Sequence, residues 1–500
     1  MKKLASQYGK TGLAALLLAV FNAMFFFAMR SMWGGVYNAL GLWLAPPAIM
    51  GLLLVLAGLA VWAFWAGRPR LRLCLFWALV VLLAALGSIF YIALGAWPFI
   101  LREFVLLAAL LAGLALLGLL VVKFPWRGRA ATAAKAVALA LCVLLSFGTV
   151  YGVRPGGFAV GPAVFAVEES YQIVFTTRAD STAWVQVGGA NYYDTYAGSA
   201  VSETTVHKIT VPMQALNEAG GYTLYAQTMV MRGPYYGLQG QTYQMQLPFY
   251  PVDETDGLQY YTLSDTHDFT ANAARAAAWF GDKLDFLILN GDMASFVNQP
   301  QDLTRALKLA NAVTGGSRPV VYARGNHEAK GNLAAQLHRY VGASGENFYY
   351  TFRLGSVWGV VLDMGEDHPD SWWEFYGTAH FNEYRARQLA FLQALNAAPE
   401  TGYNAPGVTT RLAISHVPIT YAEPEDFMAE TKELLVGQLN QMKLSVMLSG
   451  HIHTLCWLDE TTPAGQMLTD AETGEEIGTP LNANFPSFVS SRRSNLKSVT

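Results

Sequence analysis

Apolar positions fall into three regimes along the chain. Over the first 155 residues they run almost unbroken, in stretches of about 11–29, 41–66, 73–96, 104–122 and 136–153, with almost no polar stripe at helical spacing. A buried helix of a globular core normally keeps such a stripe, and roughly 20 apolar residues suffice to cross a bilayer as a helix. The pattern therefore predicts about five membrane spans over residues 1–155. From about 160 to 250 the period drops to two, as in Ile209, Val211 and Met213 or Tyr222, Leu224 and Ala226, between clusters of Gly, Asn, Asp and Ser. Short half-buried strands are the expected result, gathered into a small β-sandwich over 156–252. A turn-rich, acidic segment at 251–257 reads as a linker, and beyond it short apolar runs alternate with helical segments, the order of an α/β layered fold over 258–500.

Composition sharpens this picture. Hydrophobic residues make up 53% of the 500 and charged residues only 14%, too apolar a balance for an ordinary soluble chain. The net charge of −3 supplies no basic field, so no nucleic-acid binding is expected. Cys74 and Cys142 lie in apolar runs and Cys456 lies outside them, so there is no disulfide framework. Lys2, Lys3 and Lys10, then Arg68, Arg70 and Arg72, then Lys123, Arg127, Arg129 and Lys135 occupy the N-terminus and alternate loops. Positive residues stay on the cytoplasmic side, so five spans place everything after residue 155 outside the cytoplasm. The expectation is a multi-pass protein of the cell membrane, bound to the lipid bilayer through its N-terminal helices.

The chemistry lies where the later apolar runs end. The run 258–264 leads into Asp265-Thr266-His267, the run 284–290 into Gly291-Asp292, and 320–324 into Gly325-Asn326-His327-Glu328. The run 412–415 leads into His416, and 444–449 into Gly450-His451-Ile452-His453. Ligands of open α/β sheets bind beyond the carboxyl ends of the strands, so the five motifs are expected at one rim. A single strand-end His is usually structural, but five coincident motifs read as a site. Alternating residues such as Asp265 and His267 would point one way from extended backbone, and Gly291, Gly325 and Gly450 would permit sharp turns.

Asp-x-His, Gly-Asp, Gly-Asn-His-Glu, a lone His and Gly-His-x-His, in this order over roughly 258–455, resemble the signature of the calcineurin-like metallophosphoesterases. The strand-rich piece before them resembles the fibronectin type III-like β-sandwich of purple acid phosphatases. The resemblance implies two β-sheets packed between helices and a two-metal site hydrolysing phosphate esters. Carried across motif by motif, it implies that Asp265, His267 and His453 hold one ion, that Asn326, His416 and His451 hold the other, and that Asp292 bridges them. His327 would then face the phosphate-ester substrate as a proton donor, a task suited to an imidazole. Glu328 would either orient that imidazole or cap the following helix. A mixed N and O ligand set favours Mn, Fe, Zn or Co over Mg and Ca.

Departures from the pattern also count. Met293, Ala294, Ser295 and Phe296 follow the Gly-Asp, without the Tyr ligand of purple acid phosphatases, so no iron–tyrosinate colour is expected. Arg324 resembles the phosphate-contacting Arg of the protein serine/threonine phosphatases and is taken as a catalytic and substrate-binding residue, with a structural ion pair as the alternative. Glu366, Asp367 and His368 follow a further apolar run that ends at Asp363, and they read as a surface excursion more readily than as pocket lining. Two other functional readings stand beside the leading one: hydrolysis of lipid-linked phosphates at the membrane surface, and a metal-stabilised binding or sensing module without turnover.

Overall fold

The computed structural model describes residues 156–232, 237–423, 425–459, 461–470, 474 and 476–490. The expected membrane spans over 1–155 lie outside the described residues, and among those described no helix is long and apolar enough to cross a membrane. The chain divides into a unit of residues 155–229 and 240–500 and another of 1–154 with 230–239. The fold and the site belong to the former.

Its first sheet begins with β1 (Phe158–Val167), β2 (Ser170–Val187) and β3 (Ala190–Tyr193), followed by a small hairpin of β4 (Thr195–Tyr196) and β5 (Ala200–Val201). The strands β6 (Thr204–Pro212), β7 (Gly221–Arg232), β8 (Gly237–Pro248), β9 (Tyr260–Leu263), β10 (Phe286–Asn290) and β11 (Pro319–Ala323) complete it. The order is β8-β7-β2-β1-β11-β10-β9, with β3 and β6 also paired to β2. The β-rich region before the α/β part is joined to it through this sheet, because β1 pairs in parallel with β11, Val164 opposite Pro319 and Phe165 opposite Val320. The physical reason is the apolar run 162–167, every residue of which is buried. A strand apolar on both faces needs cover on both and sits in a sheet interior. β2 joins the two regions, since its first half lies between β1 and β6 and its second half pairs with β7 and β3, the register shifting between Thr176 and Ser181.

The second sheet has the order β12-β13-β14-β16-β20-β17. Its strands are β12 (Tyr350–Leu354), β13 (Val357–Leu362), β14 (Thr410–Ser415), β16 (Val446–Ser449), β17 (Leu455–Leu458) and β20 (Ser487–Ser490). A three-stranded sheet of β15 (Tyr421–Ala422), β18 (Leu468–Thr469) and β19 (Glu476–Pro480) is separate from it. Period-two alternation divides the central strands between two cores. Val357, Val361, Leu412, Ile414 and Leu448 join a core shared with Val164, Leu287 and Tyr322 of the first sheet. The alternate residues Val360, Leu362, Ala413 and Met447 face a second core.

Helices are α1 (Met213–Ala219), α2 (Thr270–Ala277), α3 (Pro300–Leu303), α4 (Arg305–Thr314), α5 (Phe381–Ala397) and α6 (Ala429–Leu439). Leu307, Leu309 and Ala310 of α4 and Ala273 and Ala277 of α2 pack into the shared core. Leu392 of α5 and Leu435, Val436 and Leu439 of α6 close the second. The unit is thus two sheets between helical layers, as the resemblance implies. Because β9, β10 and β11 run parallel, as do β13, β14 and β16, each trio releases its following loops at one edge.

Candidate metal centre

All five motifs begin within three residues of a strand end. Asp265 and His267 follow β9, Asp292 follows β10, Arg324 to Glu328 follow β11, His416 follows β14, and His451 and His453 follow β16. Ligand atoms of Asp265, His267 and His453 lie within 4.8 Å of one another, as do those of His267, Asp292 and His327 and those of Asp292, His416 and His451. Asn326 joins the last group through Oδ1, 3.2 Å from His451 Nδ1. Asp265, His267, Asp292, Asn326 and His416 are buried.

The backbone that gathers these groups is not the extended one expected for Asp265 and His267. Asp265, His267, Asp268, Asp292, His451 and His453 all have φ between 38° and 75°, a region that L side chains seldom occupy and that costs about 1–3 kcal/mol per residue. Hydrogen bonds between the loops hold the conformation: Asp265 N–H donates to Gly291 O (3.1 Å), His267 N–H to Asp292 O (2.9 Å) and Asp268 N–H to Met293 O (3.1 Å). Two carboxylates are tied in turn by their neighbours, His451 N–H donating to Asp265 Oδ2 and His327 N–H to Asp292 Oδ1, each at 3.0 Å. A Cβ on Gly325 would overlap Asp292, so this close approach requires glycine.

Glu328 neither orients His327 nor caps a helix by its side chain. Its buried carboxylate accepts N–H bonds from Asp292 (2.8 Å), Ala294 (2.9 Å) and Gly325 (2.9 Å), locking two motif loops together. Burial and the Asp292 carboxylate push it up to about 7. His327 is oriented instead by the Ser295 carbonyl, 2.7 Å from Nδ1. A carbonyl only accepts, so Nδ1 carries the hydrogen and Nε2, 3.9 Å from Asp292 Oδ2, is left to exchange protons. His416 is fixed alike, with Nδ1 2.7 Å from Asn290 O and Nε2 3.1 Å from Asp292 Oδ2. Burial disfavours its cation, yet the Asp292 and Asp265 carboxylates push it up to about 10. At His416 the two carboxylates thus favour positive charge, whereas burial lowers His267.

The donor atoms fit metal ions. His267 Nε2 and His453 Nε2 face each other at 3.2 Å, and at most one neutral imidazole of such a pair can donate. His451 Nε2 lies 3.2 Å from Asp367 Oδ2, which can only accept. In the neutral ring the hydrogen then belongs to Nε2, and the Nδ1 lone pair faces the Asn326 oxygen. Converging lone pairs of this kind are what a shared cation satisfies.

Arg324 forms the ion pair that was the alternative reading of this residue. Its Nη2 lies 2.7 Å from Asp363 Oδ2, and its guanidinium stacks 4.5 Å from the Phe348 ring centroid. Tyr384 OH donates to the same carboxylate oxygen at 3.1 Å. Nη2 is thus held by a structural pair, while Nε makes no hydrogen bond, and the catalytic and substrate-binding role of Arg324 stands as a proposal.

The loop after β13 is the converse case. Asp367 reaches His451, Glu366 is fully buried, and Lys330 Nζ bridges Glu366 (3.0 Å) and Glu374 (3.1 Å). Burial first, then Asp367, push Glu366 up to about 7. Burial also opposes ionisation of Asp367, but the bonds from His451 and Glu366 hold it well below the usual carboxylate range. The sheet explains the placement: β13 pairs in parallel with β14, Leu362 opposite Ser415, so residue 363 leaves the sheet at the edge that releases His416. Away from this rim, His207 of β6 is buried with Nδ1 2.9 Å from Asp194 Oδ2.

Residues 259–455 match the family model of the calcineurin-like phosphoesterases. No curated protein sequence matches the chain. Among solved structures, a purple acid phosphatase from yellow lupin (Lupinus luteus) seeds shares 14% identity over 67% of this chain, with a TM-score of 0.43, and this chain covers 65% of that one. PhoD shares 12% identity over 67% of this chain and 77% of its own, with a TM-score of 0.37. A dimetal phosphatase from Danio rerio shares 14% over 47% of this chain and 88% of its own, at 0.32. The order of the motifs, their meeting at one rim and the family match make residues 259–455 a calcineurin-like phosphoesterase domain.

Proposed function

We propose that the chain is a membrane-anchored, dinuclear-metal phosphoesterase that hydrolyses phosphomonoesters or phosphodiesters on the non-cytoplasmic side. The observation that carries the hydrolase reading is the meeting of Asp265, His267, Asp292, Asn326, His416, His451 and His453 with their donor atoms turned toward one another. Asp265, His267 and His453 would hold one ion, Asn326, His416 and His451 the other, and Asp292 both. Mn, Fe, Zn and Co suit such nitrogen and oxygen donors. When bound, two such ions neutralise phosphoryl charge and supply hydroxide near neutral pH.

The chain's own groups do the rest. His327, more than a third exposed and anchored through Nδ1, presents Nε2 to the side where an ester would lie and delivers a proton to the departing oxygen. Glu328 keeps the loops of Asp292 and Gly325 in register. Anchoring is supported by the five apolar stretches and sidedness by the Lys and Arg between them.

The test is hydrolysis of para-nitrophenyl phosphate, its bis ester and a detergent-dispersed lipid phosphate by the purified full chain with Mn, Zn, Fe or Co added. Metal-dependent turnover of either nitrophenyl ester supports the reading, and the preferred ester fixes its class. Turnover of the lipid phosphate alone replaces it with the lipid-directed alternative. Two bound metals without turnover of any ester would leave the binding-module reading. Protease protection in closed vesicles tests sidedness.

A further inference from the structure

We infer that Asp367 is a positioning residue that orients His451 and strengthens it as a donor at the second metal position. The inference rests on the two-metal reading above and deepens it, because no motif of the sequence includes this side chain.

The two nitrogens of His451 have different neighbours. Nδ1 lies 3.2 Å from Asn326 Oδ1, and the His416 ring packs at 5.5 Å between centroids, so Nδ1 is on the side where these donors converge. Nε2 faces away from Asn326 and lies 3.2 Å from Asp367 Oδ2. A carboxylate there accepts the Nε2 hydrogen, which fixes the tautomer, holds the ring plane and pushes electron density toward Nδ1. Carboxylate partners of metal-bound imidazoles act in this way.

Asp367 is itself held. His368 Nδ1 lies 3.0 Å from its other oxygen, Oδ1, and the His368 ring packs at a tilt against Trp372 with centroids 4.3 Å apart. The segment before it is pinned to α5. Buried Arg385 donates from Nη1 to Met364 O (2.8 Å) and Glu366 O (3.2 Å), and Gln388 Oε1 accepts the Asp363 N–H at 2.8 Å. Lys330, three residues after His327, ties Glu366 to the motif loop. A carboxylate held by His368, on a segment clamped at residues 363, 364 and 366, serves poorly as a flexible surface acid and well as a fixed partner for His451.

The test is metal titration of the full chain in detergent, with Mn followed by calorimetry and Co followed by visible absorption, for the native sequence, Asp367→Asn and Asp367→Ala. One of two metal equivalents is expected to bind about 10- to 100-fold more weakly in both variants, the other unchanged, with the cobalt band intensity preserved. Unchanged affinity for both equivalents overturns the inference and leaves the two-metal reading standing. A cobalt spectrum that reports an altered coordination number also overturns it, by making Asp367 a ligand rather than a partner. A native chain that does not bind two equivalents overturns both. Asp367→Asn keeps the shape of the side chain, so a folding failure confined to Asp367→Ala leaves the test intact.

Discussion

The carboxylate of Glu328 stands 2.8 Å from the amide nitrogen of Asp292, 36 residues earlier in the chain, and the same oxygen takes the Gly325 N–H at 2.9 Å. One buried side chain thereby sets the spacing of two motif loops. Glu328→Ala leaves three buried N–H groups without an acceptor, at roughly 1–3 kcal/mol each. The expected result is a marked fall in thermal midpoint together with loss of metal, read by scanning fluorimetry and metal analysis. Native-like stability would mean that the loops hold their own conformation.

Arg324, directly before the motif of Asn326 and His327, pairs with the buried Asp363. Breaking a buried ion pair costs about 3–5 kcal/mol because the partner charge is left uncompensated. Arg324→Ala should therefore lower stability through Asp363, while KM for a nitrophenyl ester in the fraction that remains folded changes little. A selective rise in KM with native stability would instead support the phosphate-binding role.

For His327 the expected loss is in chemistry rather than binding. General acid catalysis contributes about 10²- to 10⁴-fold, and it matters most for poor leaving groups. His327→Ala should slow alkyl phosphates far more than para-nitrophenyl phosphate at unchanged metal content. Equal slowing of both would assign the imidazole to ground-state binding.

Lys208 on β6 gives a pH signature away from the site. Burial lowers its ammonium to about 7, whereas the unfolded side chain titrates near 10.4. Between those values the unfolded state binds more protons, so stability rises with pH. Below about 7 both states are charged and the burial penalty is fully in force. Lys208→Met should raise the thermal midpoint at pH 7 and flatten its rise toward pH 10, as seen in melts across that range.

The side chains that meet at the rim were legible because each ends an apolar run, and parallel strands deliver such ends to one edge. The geometry of their delivery was not. Asp265 and His267 reach the centre through left-handed backbone, a conformation imposed by bonds to the loop of Asp292 that local sequence does not encode. Asp363 and Asp367 were hidden for a related reason: their partners, Arg324 and His451, lie 39 and 84 residues away. The parallel pairing of β13 with β14 that places them is a tertiary fact. That the run 162–167 also pairs with β11 was not legible either, because a strand buried on both faces keeps no period-two signal to mark its neighbours.

The central claim is that two metal ions and Asp292 together make the hydrolytic site. Its most direct test is turnover of para-nitrophenyl phosphate against added metal equivalents for metal-stripped full chain, native and Asp292→Asn. The account predicts activity that rises to a plateau at two equivalents in the native chain, and in the variant a loss larger than the roughly 10- to 100-fold typical of disturbing an outer partner. Turnover that ignores added metal, or that survives Asp292→Asn, would contradict it.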